Sequence, residues 1–202
     1  MSENINEQLP KELRTSFYQD NPKKIFVLSI LSAGFYELIW FYRHWRHFQR
    51  RSVVLNKINK ANLVTHKKDK DIVPFWSTFF CGFYIVGTAR RIRDKMKSAG
   101  FSNFETGPWW AWLFYGNYKF LSFFQGTSDI NFNLSIFLFD VLLVAISSWQ
   151  ITRLQLKANE YINLSKENET IIEVNFKKWD IIVLLVGFIL GFFNLIGTIL
   201  PL

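Results

Sequence analysis

The sequence predicts an all-α fold, specifically an integral membrane bundle of three to five helices. Half of the 202 residues are apolar and 18% are aromatic, which is more than one water-exposed domain of this size is expected to bury. The apolar residues are concentrated in five runs. Most basic residues, whose excess over acidic ones gives the chain a net charge of +8, lie before or between these runs. Apolar runs separated by basic segments are typical of helices in a bilayer with anionic headgroups beside them.

The five runs are 25–42, 74–89, 108–124, 132–149 and 181–200. A spanning helix needs about 20 residues, so the last two runs are long enough, 108–124 nearly is, 25–42 is marginal and 74–89 is short. Residues 1–24 form a polar N-terminal segment, and residues 25–200 form a single helical domain in this interpretation.

The first two runs either cross the bilayer or re-enter it. Each carries a central glycine, Gly34 or Gly82, at which a helix can break. Basic residues follow both runs, and the positive-inside tendency would keep them in the cytoplasm. The last three runs then place loop 125–131 outside and loop 150–178 in the cytoplasm.

Three ionisable residues, Glu37, Lys119 and Asp140, fall inside apolar runs. A charge in the bilayer is costly, so such residues are expected to face protein or water. Lys119 and Asp140 lie at similar depths in neighbouring runs and are predicted to pair. The pair is either part of an ion pathway or a structural contact, or else Lys119 extends to the membrane surface. Glu37 is expected near the interface, against Arg43 or a neighbouring basic residue.

The last run carries a face of small and polar residues at spacings typical of helix packing. Small residues let two helix backbones approach, and an Asn side chain can hydrogen-bond across the contact. The face packs either within one chain or between two copies, so a homo-oligomer is one alternative. Its members are Gly187, Gly191, Asn194 and Thr198.

Basic residues recur at helical spacing directly after each of the first two runs. The predicted partner is therefore the lipid bilayer, through its anionic phospholipid headgroups, and not nucleic acid. Ordinary topology-setting charge is the alternative. The two stripes are Arg43, Arg46 and Arg50, and Arg90, Arg93 and Lys97.

The sequence carries no complete catalytic, cofactor-binding or metal-binding motif. His44 and His47 share a helix face, but no carboxylate or cysteine lies beside them at ligand spacing. The single cysteine, Cys81, excludes an intrachain disulfide. No catalytic residue, cofactor or metal is expected.

The first run, with Gly34-Phe35-Tyr36 and Trp40-Phe41-Tyr42-Arg43, resembles an uncharacterised family of small bacterial membrane proteins. Pro74-Phe75-Trp76, then Gln155, Asn159 and Asn163, and the closing Gly197-Thr198 look like later blocks of that family. The resemblance implies a multi-pass protein of the bacterial inner membrane and no particular activity.

Two functions are consistent with these patterns. The first is a non-enzymatic membrane protein with a structural, scaffolding or stress-related role and anionic-lipid contact. The alternative is a small oligomeric transporter or channel that uses Glu37, Lys119 and Asp140, because glycine-interrupted short runs are typical of transporter sites.

Overall fold

A computed structural model describes residues 9–61, 73–101, 134–165 and 176–189, except for residues 177, 179 and 188. Within these ranges, the side chains of residues 59–61 and 134–140 are not described. These residues form helices and no strand, which confirms the all-α prediction. Residues 180–187 are helical as well. The named elements are a 3-10 helix at Lys11–Leu13, α1 at Pro22–Leu31, α2 at Phe35–Ala61, α3 at Pro74–Phe79, α4 at Cys81–Ser98 and α5 at Leu134–Leu164.

The first apolar run is divided between α1 and α2 by a turn at residues 32–34. Ala33 and Gly34 have φ angles of 47° and 86°, the left-handed region that ends a helix. The Gly34 amide donates to the Ser29 carbonyl at 2.7 Å. The Ser32 hydroxyl then accepts from the Tyr36 amide at 2.9 Å and so caps α2. The break lies at the glycine that the sequence indicated.

The second apolar run is divided between α3 and α4 at Phe80, whose φ of −96° and ψ of 35° interrupt the helix. Gly82, where the sequence indicated a break, lies inside α4. Pro74 begins α3, a position where proline costs no hydrogen bond. At the far end of α4, Gly100 has a φ of 84° and the Phe101 amide returns to the Met96 carbonyl at 2.9 Å.

The core lies where α1 packs on α2 and α5, and where α4 packs on α5. Each of these helices contributes buried side chains to the core, for example Trp40 from α2, Ile85 from α4 and Ile151 from α5. The chain before α1 contributes as well, because the Phe17 ring lies edge-on to Phe48 and Tyr161, with centroids 5.9 and 5.5 Å away. The described part of the N-terminal segment is therefore packed against the helices.

The multi-pass membrane assignment is wrong for the part of the chain that the structure describes. None of its helices combines the length and the apolar character needed to cross a bilayer. The physical reason is that runs 25–42 and 74–89 each form two helices, and the second helix of each continues into a basic sequence. This finding overturns the inner-membrane location and the topology drawn from it.

The loops of the predicted membrane topology lie partly within and partly outside the described residues. Residues 150–164, taken as part of a cytoplasmic loop, continue α5. Loop 125–131 and run 108–124 lie outside the described residues, as do residues 190–200 of the last run.

Candidate functional site

The described residues bring four charged side chains together in the interior. Asp20 lies just before α1 and Lys24 lies in its first turn. Arg43 lies on α2, and Asp180 is the first of the helical residues 180–187. Asn21 fixes the start of α1, because its side chain accepts from the amides of residues 23 and 24. Three elements and the N-terminal segment thus meet at one place, here called the charge cluster.

The charge cluster is closely paired. An Arg43 guanidinium nitrogen lies 2.7 Å from an Asp180 carboxylate oxygen, and another lies 3.5 Å from Asp20. The Lys24 ammonium lies 2.5 Å from Asp20 and 3.4 Å from Asp180. Side-chain exposure is 12% for Arg43 and 7% or less for the other three. Two cations and two carboxylates therefore neutralise one another away from solvent.

The Tyr36 hydroxyl lies within the charge cluster. It donates to Asp180 at 3.2 Å, lies 3.4 Å from Asp20, and accepts from Arg43 at 3.1 Å. Burial, and next the neighbouring Asp20 carboxylate, raise the pKa of Tyr36 well above its ordinary value. The hydroxyl therefore keeps its proton and donates it to Asp180.

A second set of polar contacts joins α2, α5 and the chain before α1. The Trp40 indole N–H donates to the Gln155 side-chain oxygen at 2.7 Å. The Gln155 amide then donates to the Tyr18 carbonyl at 3.0 Å and to Asn159 at 2.7 Å. Asn159 in turn donates to the Asp20 carbonyl at 2.9 Å. The backbone that carries Asp20 is therefore held from α5.

Glu37 is buried, and hydroxyl groups of α5 lie against its carboxylate. One of its carboxylate oxygens accepts from the Ser147 hydroxyl at 2.7 Å and from the Ser148 hydroxyl at 3.1 Å. Arg43 is engaged by the charge cluster. Two hydroxyl donors from α5 thus satisfy a carboxylate oxygen on α2.

His44 and His47 serve packing and backbone contacts. His47 donates through Nε2 to the Thr15 carbonyl at 2.9 Å, and His44 donates through Nδ1 to the Trp40 carbonyl at 3.3 Å. Burial, and then proximity to His47, lower the pKa of His44 to about 3. His44 is therefore neutral at physiological pH. Among the described residues no cluster of three or more metal-ligating side chains is found.

The structure gives the predicted lipid-contacting residues different environments. Arg43 is mostly buried, and its guanidinium is paired within the charge cluster. Arg93 is half-buried and paired with Asp94 at 3.0 Å. Exposed side chains remain at Arg46, Arg50, Arg90 and Lys97.

Of the four residues in the predicted packing face of the last run, the structure describes only Gly187. Gly187 is so close to the turn after α1 that an added Cβ would lie 2.7 Å from the Ser32 Cα. This close approach is within the chain. Gly191, Asn194 and Thr198 lie outside the described residues.

The predicted ion pair cannot be located. Lys119 lies outside the described residues, and Asp140 lies in α5 where side chains are not described. Their pairing stays a prediction.

The charge cluster itself was not anticipated. Asp20, Lys24 and Asp180 lie at the ends of apolar runs, where charged residues are common on the outside of a helix. The available signal was the position of Tyr36 and Arg43 two helical turns apart, which puts a hydroxyl and a guanidinium on one face of α2.

No protein-family model, curated protein or solved structure matches this chain. The family resemblance therefore stays a prediction. The structure does show that three of the residues that carry it, Trp40, Gln155 and Asn159, hydrogen-bond in series. The function is inferred below from the chain's own residues.

Proposed function

We propose that this protein is a non-enzymatic structural protein, a helical scaffold whose interior charges serve the fold rather than a reaction. The observation that carries this proposal is the mutual pairing of Arg43 and Lys24 with Asp20 and Asp180. These residues come from segments far apart in the sequence, so their contacts fix how those segments pack.

The chemistry of the charge cluster supports a structural role. A catalytic acid or base must reach a substrate and must exchange a proton near neutral pH. The Tyr36 pKa is raised away from that range, and each carboxylate contacts both cations. The Asp180 side chain is fully buried. Removing one member of such a cluster leaves an unmatched buried charge, which costs about 3–5 kcal/mol.

The test is to replace Asp180 by Asn in the full chain and to measure thermal unfolding by circular dichroism. A structural role predicts a melting temperature lower by on the order of 10 °C. The matched control is Asp94→Asn, because Asp94 is 58% exposed and pairs with the adjacent Arg93. The control is expected to melt within about 2 °C of the parent, since exposed ion pairs contribute little.

A different result would contradict the proposal. If Asp180→Asn melts at the parental temperature, the charge cluster does not hold the fold, and its buried groups would have to be explained by chemistry or binding. Rescue offers a second check: Lys24→Met combined with Asp20→Leu should recover part of the loss caused by Lys24→Met alone, because no unmatched carboxylate then remains at Asp20.

A further inference from the structure

A cluster of aromatic rings is exposed where α3 meets α4. Phe75, Trp76, Phe79, Phe80 and Phe83 are between 45% and 64% exposed, and they are here called the aromatic surface. The four rings of residues 75–80 contact one another: the Trp76 centroid lies 5.4 Å from Phe75 and 6.1 Å from Phe80. Phe83 lies in the first turn of α4, directly after them. The exposed apolar groups are therefore contiguous, and a contiguous patch is typical of an interaction site.

Basic residues continue from the aromatic surface along α4. Phe83, Arg90 and Lys97 are each separated by seven residues, two helical turns, so they share one face, and all three are exposed. Arg90 lies about 10 Å along the helix from Phe83, and Lys97 about 21 Å. Arg91, on another face, lies over the rings of Trp45 and Phe48. Asp94, which is 58% exposed, lies on the same face between Arg90 and Lys97 and pairs with Arg93 at 3.0 Å. One face of α4 thus changes along its length from aromatic to charged, with a positive balance.

We propose that the aromatic surface and the basic face of α4 together dock on a layer of anionic phospholipid headgroups. The aromatic end enters the headgroup region and Arg90 and Lys97 contact the phosphates. This is contact with the surface of the lipid layer and involves no crossing of it.

The dimensions and the residue types favour this occupant. Apolar groups of surface-bound helices enter the headgroup and acyl boundary by about 5–10 Å. With α4 lying along the layer, Phe83, Arg90 and Lys97 all face it, so the Phe83 ring enters the boundary while the longer Arg90 and Lys97 side chains meet the phosphates. Trp and Phe rings suit this boundary, where one part of the indole is buried and its N–H is hydrated.

Charge argues against a second copy of the chain as the occupant. The chain carries a net charge of +8, and symmetric docking through this surface would place Arg90 and Lys97 of two copies close together. An anionic layer supplies opposite charge to both Arg90 and Lys97. Each Lys or Arg near such a surface strengthens binding about fivefold.

The experiment is sedimentation of the purified full chain with vesicles of phosphatidylcholine alone and of phosphatidylcholine mixed equally with phosphatidylglycerol. The parent is expected to bind the anionic vesicles more tightly, and added salt should weaken this binding. Phe79→Ser with Phe83→Ser should reduce it about tenfold or more, since burying a single Phe is worth about that factor. Arg90→Gln with Lys97→Gln should reduce binding to anionic vesicles and leave binding to neutral ones unchanged.

Matched controls separate this surface from general stickiness and charge. Leu156→Ser removes a side chain that is 51% exposed on α5, and Lys23→Gln removes an exposed charge on α1. Both should bind like the parent, and circular dichroism should show that every variant is folded. Because the exchanged residues are exposed, loss of folding is not expected.

Quenching of Trp76 by brominated phospholipid tests entry into the layer. Tryptophan fluorescence of the parent should be quenched more than that of Trp76→Phe. When Phe79→Ser and Phe83→Ser are present in both proteins, the proteins with and without Trp76 should be quenched equally. Three results would overturn the proposal: equal binding to neutral and anionic vesicles, equal binding by the aromatic variant, or binding to polyglutamate as tight as to vesicles. A dimer in analytical ultracentrifugation that Phe79→Ser dissociates would instead identify a second copy as the occupant.

Discussion

Arg43 on α2 and Asp180 at the start of the helical residues 180–187 are joined by a 2.7 Å contact between a guanidinium nitrogen and a carboxylate oxygen. The Tyr36 hydroxyl donates to the same carboxylate oxygen at 3.2 Å. α2 therefore offers two donors, two turns apart, to one buried carboxylate. This arrangement fixes where the last described helical residues lie against α2.

The first prediction is that Arg43 and Asp180 are energetically coupled. Arg43→Met and Asp180→Leu should each destabilise the chain, because each leaves a buried partner without its opposite charge. The double variant should lose less than the sum of the two by about 1–3 kcal/mol. Urea unfolding of the four proteins measures this coupling, and strictly additive losses would show that the contact contributes nothing.

The second prediction concerns the close packing of Gly187 on the turn after α1. Gly187→Ala should destabilise the chain by about 1–3 kcal/mol, because the new Cβ would lie 2.7 Å from the Ser32 Cα. Thermal unfolding measures the loss. The control is Gly87→Ala in α4, where the nearest atom would be a Trp45 ring carbon at 3.8 Å. Alanine favours helix over glycine, so the control should be neutral or more stable; equal losses at both positions would contradict the packing argument.

The third prediction contrasts two buried glutamines on α5. Gln155→Leu should cost about 1–3 kcal/mol, because it removes the partner of the Trp40 indole and of the Tyr18 carbonyl. Gln150 is fully buried, and within the described part of the chain both polar atoms of its side chain lack a hydrogen-bond partner. Gln150→Leu should therefore be neutral or stabilising. If the two variants unfold at the same urea concentration, the bonds of Gln155 are not important to stability.

Much of the helical architecture was predictable from local chemistry. Pro74 begins α3, Gly34 lies in the turn between α1 and α2, and Gly100 ends α4. These residues act on their own neighbours, so the sequence reveals them. The break at Phe80 was not predictable in the same way, because phenylalanine carries no preference for interrupting a helix.

The charge cluster was not predictable for a different reason. Asp20, Lys24 and Asp180 are ordinary charged residues in the sequence, and only tertiary packing brings them onto Arg43. The same limit applies to Glu37. The sequence suggested a basic residue on its own helix as its partner, but it gave no sign of the hydroxyl groups of Ser147 and Ser148, which reach it from α5. Apolar runs were likewise taken as spans because run length alone does not show that a run is divided between two helices.

The fourth prediction is a loss of stability as the pH falls below about 6.5, caused in part by His44. Its folded pKa of about 3 is depressed from 6.5 by burial, then by His47. Between those pH values the unfolded chain binds a proton at this position and the folded chain does not. Stability from a neutral His44 is therefore fully present above pH 6.5 and is lost as the pH falls towards 3. The slope contributed is at most about 1.4 kcal/mol per pH unit.

The measurement is urea unfolding at several pH values for the parent and for His44→Phe, which keeps a ring of similar size without a titrating nitrogen. Carboxylates in both proteins also titrate in this range, so the difference between the two curves isolates His44. His44→Phe should lose less stability than the parent as the pH falls, although its absolute stability is lower because the bond to the Trp40 carbonyl is gone. Parallel curves would show that His44 takes up its proton as easily in the folded chain as in the unfolded one. The burial of His44, edge-on to Phe48 with ring centroids 6.2 Å apart, argues for diverging curves, since that ring offers a cation little in place of water.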